Sequence, residues 1–239
     1  MKFDRNKKTI YLKKLKDFLN KYGKFYEEDI LEFIKDEFYH LQDIDEVPDV
    51  LMELYAEFGM LKDYENFYLG FSNMIGEKYG YDTNILEVAG GCYPVFAKYM
   101  RQKQIYHNGK GTVTVYDPRL VTTKINNLKL YKKEITLDTD IKNYDLLVGV
   151  LPCEATRLII EKAILSNKEF FIGMCGCTHF ELKELYWSPF GMIPRSYDEW
   201  VDTVYDTALI CQNRGYDVTK EYVKEFYFEY PIISSKKII

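Results

Sequence analysis

The sequence predicts an α/β fold: a doubly wound, mostly parallel sheet with helices on both faces, preceded by an all-helical stretch. Three observations lead there. Residues 1–80 carry apolar and aromatic residues at helical spacing and no β-like run. After Gly80, short apolar or β-branched runs alternate with helical patterns. One of those runs, Leu146–Leu151 (LLVGVL), has no polar side chain, which suits a strand buried on both faces. Apolar strands separated by helices make a parallel sheet that helices cover on both sides.

The elements follow in order. Tyr11, Leu15, Phe18 and Tyr22 mark a first helix, and Ile30, Ile34, Phe38 and Leu41 a second. Pro48 suits the first turn of a third, with Val50, Leu51, Leu54, Tyr55 and Phe58 inside it and Gly59 closing it. Tyr64, Phe67, Tyr68, Phe71 and Ile75 give a fourth, ended near Gly80. Such aromatic stripes must pack on something. Ile85–Ala89 (ILEVA) is a short strand followed at once by two glycines, and Pro94–Met100 reads as helix. Thr112–Tyr116 (TVTVY) is a β-branched strand that ends at Asp117-Pro118. Leu128–Tyr131 is a short strand, Leu146–Leu151 a buried one, and Pro152 starts a helix through about Ser166. Phe170–Cys175 (FFIGMC) is the next strand. Ser196 and Glu199 form a capping-box pair ahead of Trp200, Val201, Val204, Tyr205, Ala208 and Leu209, and Gly215 ends that helix. Tyr222–Tyr230 (YVKEFYFEY) alternates and reads as a late strand near the end, within a closing pair of Tyr/Phe-rich extended segments.

Composition removes several classes. The chain has 239 residues, 47% of them hydrophobic, enough to bury a core. Fourteen glycines and seven prolines exclude collagen-like and low-complexity chains. No run approaches the ~18 apolar residues of a membrane-spanning helix. The start, MKFDRNKKTIYLKKLKDFL, lacks the apolar core and cleavage site of a secretory signal. Net charge is −5 and unevenly spread. Residues 1–24 hold nine Lys/Arg and two acids, residues 25–80 three and fifteen, and residues 81–239 twenty of each. An overall basic nucleic-acid footprint is absent, and the basic start reads as a solvated helix face before a nucleic-acid contact. Cysteines stand at 92, 153, 175, 177 and 211, an odd count that reads as free thiols in a reducing cytoplasm.

In a doubly wound sheet, ligands bind beyond the carboxyl ends of the strands, where strand order reverses. The first strand runs out as Glu87-Val88-Ala89-Gly90-Gly91-Cys92-Tyr93-Pro94. Its glycines allow backbone to approach a ligand closely. A dinucleotide fingerprint, G-x-G-x-x-G, would fall on Ala89, Gly91 and Pro94. Pro94 lacks the N–H with which a helix start holds phosphate, and Glu87 would set a carboxylate beside a pyrophosphate. The loop suits an amine-bearing ligand better than NAD. Asp117, 26 residues after Gly91, ends the second strand, where a carboxylate can accept both hydroxyls of a ribose. An acid for an ammonium, a bare bend and an acid for a ribose match S-adenosylmethionine.

The runs EVAGGCYP, VYDP and YDLLVGVLP resemble the first, second and fourth motifs of class I S-adenosylmethionine-dependent methyltransferases, over about residues 81–232. The family's first motif is an acid, any residue, Gly, any residue, Gly; here Ala89 replaces the first glycine. The resemblance implies a Rossmann-like sheet of seven strands ending in an antiparallel hairpin. Residues 81–239 would be the cofactor-binding domain and residues 1–80 an N-terminal helical domain or cap. It also implies that Glu87, Ala89, Gly90 and Gly91 line the methionine end of the cofactor. Asp117 would bind the ribose, with Pro118 and Arg119 near the adenine edge and Asp138 at the adenine amino group. Leu151 and Pro152 would face the methyl-transfer zone. The Asn/Asp-Pro-Pro-aromatic tetrad of amino-group methyltransferases is absent; Leu151-Pro152-Cys153-Glu154 stands there.

The expected reaction is therefore in-line displacement of a methyl group onto an unidentified acceptor. Glu154 and His179 are the candidate bases if the acceptor must lose a proton. Cys175-Gly176-Cys177-Thr178-His179 offers fewer than the four ligands of a closed zinc site, so no metal is expected. Trp187, Pro189 and Phe190 lie on a loop that often serves the acceptor site in this architecture. Transfer of another group from the same cofactor stays open, as does a non-catalytic protein that binds an adenosyl ligand or acts through its helical domain. A nicotinamide-using Rossmann protein is disfavoured by Glu87 and Pro94.

Overall fold

The structure is a computed structural model and describes residues 61–91, 94–120, 124–152, 155–174, 196–225 and 228–238. The three helices expected before residue 61 lie outside the described residues. Helix α1 (Leu61–Tyr79) leads into strand β1 (Ile85–Val88), helix α2 (Val95–Tyr106) and strands β2 (Val113–Tyr116), β3 (Lys129–Tyr131) and β4 (Leu146–Val150). Helix α3 (Thr156–Ser166), strand β5 (Glu169–Gly173), helix α4 (Tyr197–Ala208), a 3₁₀ turn (Leu209–Arg214) and strands β6 (Tyr216–Glu225) and β7 (Phe228–Lys237) follow.

The strands form one seven-stranded sheet in the order β3-β2-β1-β4-β5-β7-β6. The first five positions are parallel, while β7 runs antiparallel to both β5 and β6. This is the Rossmann-like topology with a terminal hairpin that the motif resemblance implied. The chain direction across the sheet reverses between β1 and β4, which are hydrogen-bonded neighbours.

Strand alternation decides what each face receives. Leu86, Val88, Leu147, Phe170 and Ile172 pack on one face with Ile159, Ile160 and Ala163 of α3 and Val201, Val204 and Ala208 of α4. Ile85, Val113, Val115, Leu146, Val148 and Phe171 pack on the other with Phe67, Phe71 and Ile75 of α1 and Phe96, Ala97 and Met100 of α2. Each such Leu, Ile or Phe contributes about 1.5–3 kcal/mol by leaving water. On this period of two, Glu87 and Asp117 fall on the α1/α2 face, in step with Ile85 and Val115.

One expectation changes. The alternating segment 222–230 is not one strand but spans the end of β6 and the start of β7. The chain parts into two compact units, Met1–Tyr64 and Glu65–Ile239. Phe67, Phe71 and Ile75 of α1 belong to the core beneath the sheet. The end of α1 is pinned there as well: Lys78 donates to Thr219 and Ser234 (2.9 and 2.8 Å), and the Tyr79 hydroxyl donates to the Phe170 and Ser235 carbonyls. Ser196 caps α4 as read, with Glu199 N–H donating to Ser196 Oγ at 3.2 Å. Gly215 takes φ +82°, the left-handed stop after the 3₁₀ turn. Among the described residues, no helix is long and apolar enough to cross a membrane.

Candidate functional site

The site builds from the carboxyl ends of β1, β2 and β4. Ala89 follows β1 directly, and its N–H donates to the Tyr116 carbonyl at 3.0 Å, keeping the two strand ends together. Its φ is +60°, a left-handed value that costs a residue with a Cβ roughly 1–2 kcal/mol. This explains in physical terms why a glycine suits the position. At Gly90 a Cβ would lie 2.7 Å from Val115 Cγ1 and 3.0 Å from Glu87 Cδ, so the backbone rests directly on the Glu87 side chain. Gly91 has φ +77° and nothing within 4 Å of where a Cβ would stand. The bend is therefore closed toward the protein at Gly90 and open at Gly91.

Two carboxylates meet around this bend, and their surroundings differ. Asp117 is buried, and Gly91 N–H donates to its Oδ2 at 2.8 Å. Its Oδ1 accepts from the Arg119 backbone N–H (2.6 Å) and Nε (3.3 Å), and Oδ2 also accepts from an Arg119 terminal nitrogen at 3.2 Å. Those four donors match the roughly four acceptor sites of a carboxylate. Glu87 is only 2% exposed. One of its oxygens accepts a hydrogen bond from the Ala97 N–H in the first turn of α2, while Oε2 has no partner. Burial, then the neighbouring Asp117 charge, push the Glu87 carboxyl up to about 8, with the Ala97 hydrogen bond opposing them.

The remaining predicted residues spread out from this centre. Pro118 and Arg119 are exposed, and the Arg119 side chain turns back onto Asp117. Leu151, just past β4, has φ +54°, a second left-handed non-glycine residue on the strand next to β1. Pro152 is buried and folds back toward Gly149, where an added Cβ would stand 2.7 Å from Pro152 Cγ. Asp138 is exposed, and its charge acts on Lys162 of α3. Glu154, His179, Cys92, Cys153, Cys175, Cys177, Trp187, Pro189 and Phe190 lie outside the described residues. Among the described residues, no group of three or more His, Cys, Asp or Glu could hold a metal ion. Cys211 is buried in the core cluster with α3 and α4, its thiol pushed up to about 11 by burial.

Tyr131 reaches this region without having been singled out in the sequence. It ends β3 in register with Tyr116, and its carbonyl accepts from the Asp117 N–H at 3.3 Å. The two rings lie 4.7 Å apart at 36°, with Lys133 Nζ 5.3 and 5.4 Å from their centres. The signal was present only as a pair: two aromatic residues at the ends of two short strands become neighbours if the strands are parallel and adjacent.

No family model and no curated protein matches the chain. Among solved structures, it is similar to magnesium protoporphyrin IX methyltransferase from Synechocystis PCC 6803 with bound SAM, at 9% identity over 90% of this chain and 99% of that one, with a TM-score of 0.49. It is also similar to the plantazolicin methyltransferase BpumL in complex with SAH (10% identity, 86% and 99% covered, TM-score 0.47). A methyltransferase from Pyrococcus furiosus is a third (13% identity, 72% and 83% covered, TM-score 0.43).

Proposed function

We propose that the chain binds S-adenosylmethionine across the ends of β1, β2 and β4 and transfers its methyl group to an acceptor. One observation carries the reading: Glu87 and Asp117 converge on the same face of the sheet, around the Gly90–Gly91 bend, at the point where strand order reverses. The residues fit the cofactor on a structural ground. A buried carboxylate oxygen with no partner is costly and calls for a donor, which an ammonium supplies. In this reading Glu87 holds the amino group, and Ala89, Gly90 and Gly91 lie along the methionine end. Asp117 takes the ribose hydroxyls, and Arg119, with a side chain 65% exposed, is the donor that yields to them. Pro118 borders the adenine, Asp138 meets its amino group, and Leu151 and Pro152 border the transfer zone.

The cofactor supplies an activated methyl carbon on a sulfonium. The chain's own work is alignment, bringing the acceptor atom to about 3–3.5 Å from that carbon. Glu154 or His179 removes a proton where the acceptor must lose one. The cytoplasm is the compartment that this reading assigns.

Isothermal calorimetry with S-adenosylmethionine and S-adenosylhomocysteine tests the pocket. Both are expected to bind well below millimolar, the level that corresponds to about −4 kcal/mol. Asp117→Ala is expected to weaken both at least about tenfold, since hydrogen bonds to a charged group are worth roughly 1.5–3 kcal/mol each. If neither ligand binds the wild-type chain below millimolar, the assignment loses its basis. A second reading, an adenosyl-ligand-binding protein without turnover, is favoured by the strained Ala89 in place of glycine. Binding without methyl transfer to any tested oxygen, nitrogen, sulfur or carbon acceptor would select it.

A further inference from the structure

We propose that Glu87 makes ligand capture at this site a proton exchange: a ligand's ammonium enters, the Glu87 carboxyl ionises to meet it, and one proton leaves to solvent. The inference rests on the cofactor reading above and deepens it, because it says which part of the ligand the site selects and under what conditions.

The geometry carries it. Glu87 and Asp117 are two buried carboxyls at the ends of neighbouring strands. Among the described residues the cation in contact is Arg119, which places its Nε and a terminal nitrogen on Asp117. Two ionised carboxylates with one guanidinium would leave a buried negative charge uncompensated, which is strongly unfavourable. Asp117 accepts from four donors; Glu87 has one N–H, from Ala97, and a bare Oε2. Among the described residues, no second cation stands in hydrogen-bond contact with either carboxyl. Val115 and Val148 are the register neighbours of Glu87 on β2 and β4, and the first turn of α2 carries no acid. Lys98 of α2 stands over the Tyr99 ring, and Lys78 of α1 pairs with Glu221. The direction of the Glu87 shift, upward from burial and from Asp117, agrees with a carboxyl that stays neutral until a cation arrives.

The exchange balances. Neutral Glu87 and a ligand ammonium become carboxylate and ammonium in contact, plus one released proton. A ligand that lacks the amine offers nothing to drive that ionisation. The site therefore discriminates for the amino-acid end of the ligand and tightens as pH rises toward neutrality and above.

Calorimetry of the full chain with S-adenosylhomocysteine, in buffers of different ionisation enthalpy at pH 7, reads the proton count. About one proton should be released per site in the wild type, and about none with 5′-methylthioadenosine, which lacks the amine. Affinity for S-adenosylhomocysteine should rise about tenfold per pH unit from pH 6 to 7 and flatten near pH 8. In Glu87→Gln the release and the slope should both vanish. A second measurement needs no variant and no ligand: with ¹³C-labelled glutamate, one side-chain carboxyl should titrate near pH 8 in the free chain and move below pH 6 on saturation. Tight binding of S-adenosylhomocysteine without proton release, or no glutamate titrating above pH 6, overturns the inference and leaves the cofactor reading standing. No binding of either nucleoside overturns the cofactor reading, and the inference with it.

Discussion

The two edges of the parallel sheet are built from the same strands and behave as opposites. At the amino edge Asn84, Gln104, Thr112 and Asp145 find their partners within the protein. Asp145 accepts from the Asn84 N–H (2.8 Å) and Nδ2 (3.1 Å), and Thr112 Oγ1 donates to Asn84 Oδ1. Buried Gln104 donates to the Thr83 carbonyl and accepts from Arg101, which also donates to the Gly111 carbonyl. At the carboxyl edge, Ala89 and Leu151 hold left-handed backbones that glycine would hold more cheaply, and Glu87 Oε2 has no partner. Strained Ala89 and Leu151 and an unmet acceptor meet at the strand ends proposed above to take the ligand, the kind of place where such departures are usually found. The lesson is that one edge is built for stability, while the other gives up some of it.

The largest effect that would sharpen this contrast comes from Glu87→Gln. The Glu87 carboxyl is pushed from its ordinary 4.5 up to about 8 in the folded chain. The folded state therefore binds more protons than the unfolded one between those values. The stability this contributes is complete below about 4.5 and is lost as pH rises to about 8. At about 1.4 kcal/mol per unit, the loss amounts to several kcal/mol. Thermal melts should show Glu87→Gln more stable than wild type at pH 8–9, with the gain shrinking toward pH 5. Equal melting curves at pH 9 would mean that the carboxyl edge carries no such cost.

Next in size is Gln104→Leu at the amino edge. It removes a partner of the Thr83 carbonyl and should cost about 1–3 kcal/mol in denaturant unfolding. Its affinity for S-adenosylhomocysteine should match wild type. A large fall in affinity at constant fold would break the division of labour between the edges. The smallest effect is expected from Ala89→Gly, which relieves a left-handed alanine and restores the first glycine of the motif. It should raise stability by about 1 kcal/mol, less the entropy that glycine adds to the unfolded chain. A clear destabilisation would show that Ala89 makes contacts worth more than its strain.

Much of the fold was legible because strands and helices have different periods. Leu146–Leu151 was readable as a buried strand and Ile85–Ala89 as a short one from their composition, and the Ser196 cap from two polar residues at the right spacing. The terminal hairpin was misplaced because the stretch between Glu225 and Phe228 contains no Gly, Pro, Asn or Asp to signal a turn, and the alternation continues through it. An aromatic stripe such as Phe67, Phe71 and Ile75 states that it will be buried but not against what.

At the site, the residue types and their strand-end positions were written in the chain: Glu87, the Gly90–Gly91 bend and Asp117 follow from local pattern alone. Local pattern acts over a few residues, so it can assign a strand, a bend and the face on which a side chain falls. It could not assign the left-handed backbones of Ala89 and Leu151, nor the contest for Arg119 that leaves Asp117 saturated and Glu87 bare. Those depend on which strands become neighbours and how close two charges come in a medium that screens them poorly. Only the assembled sheet sets those distances.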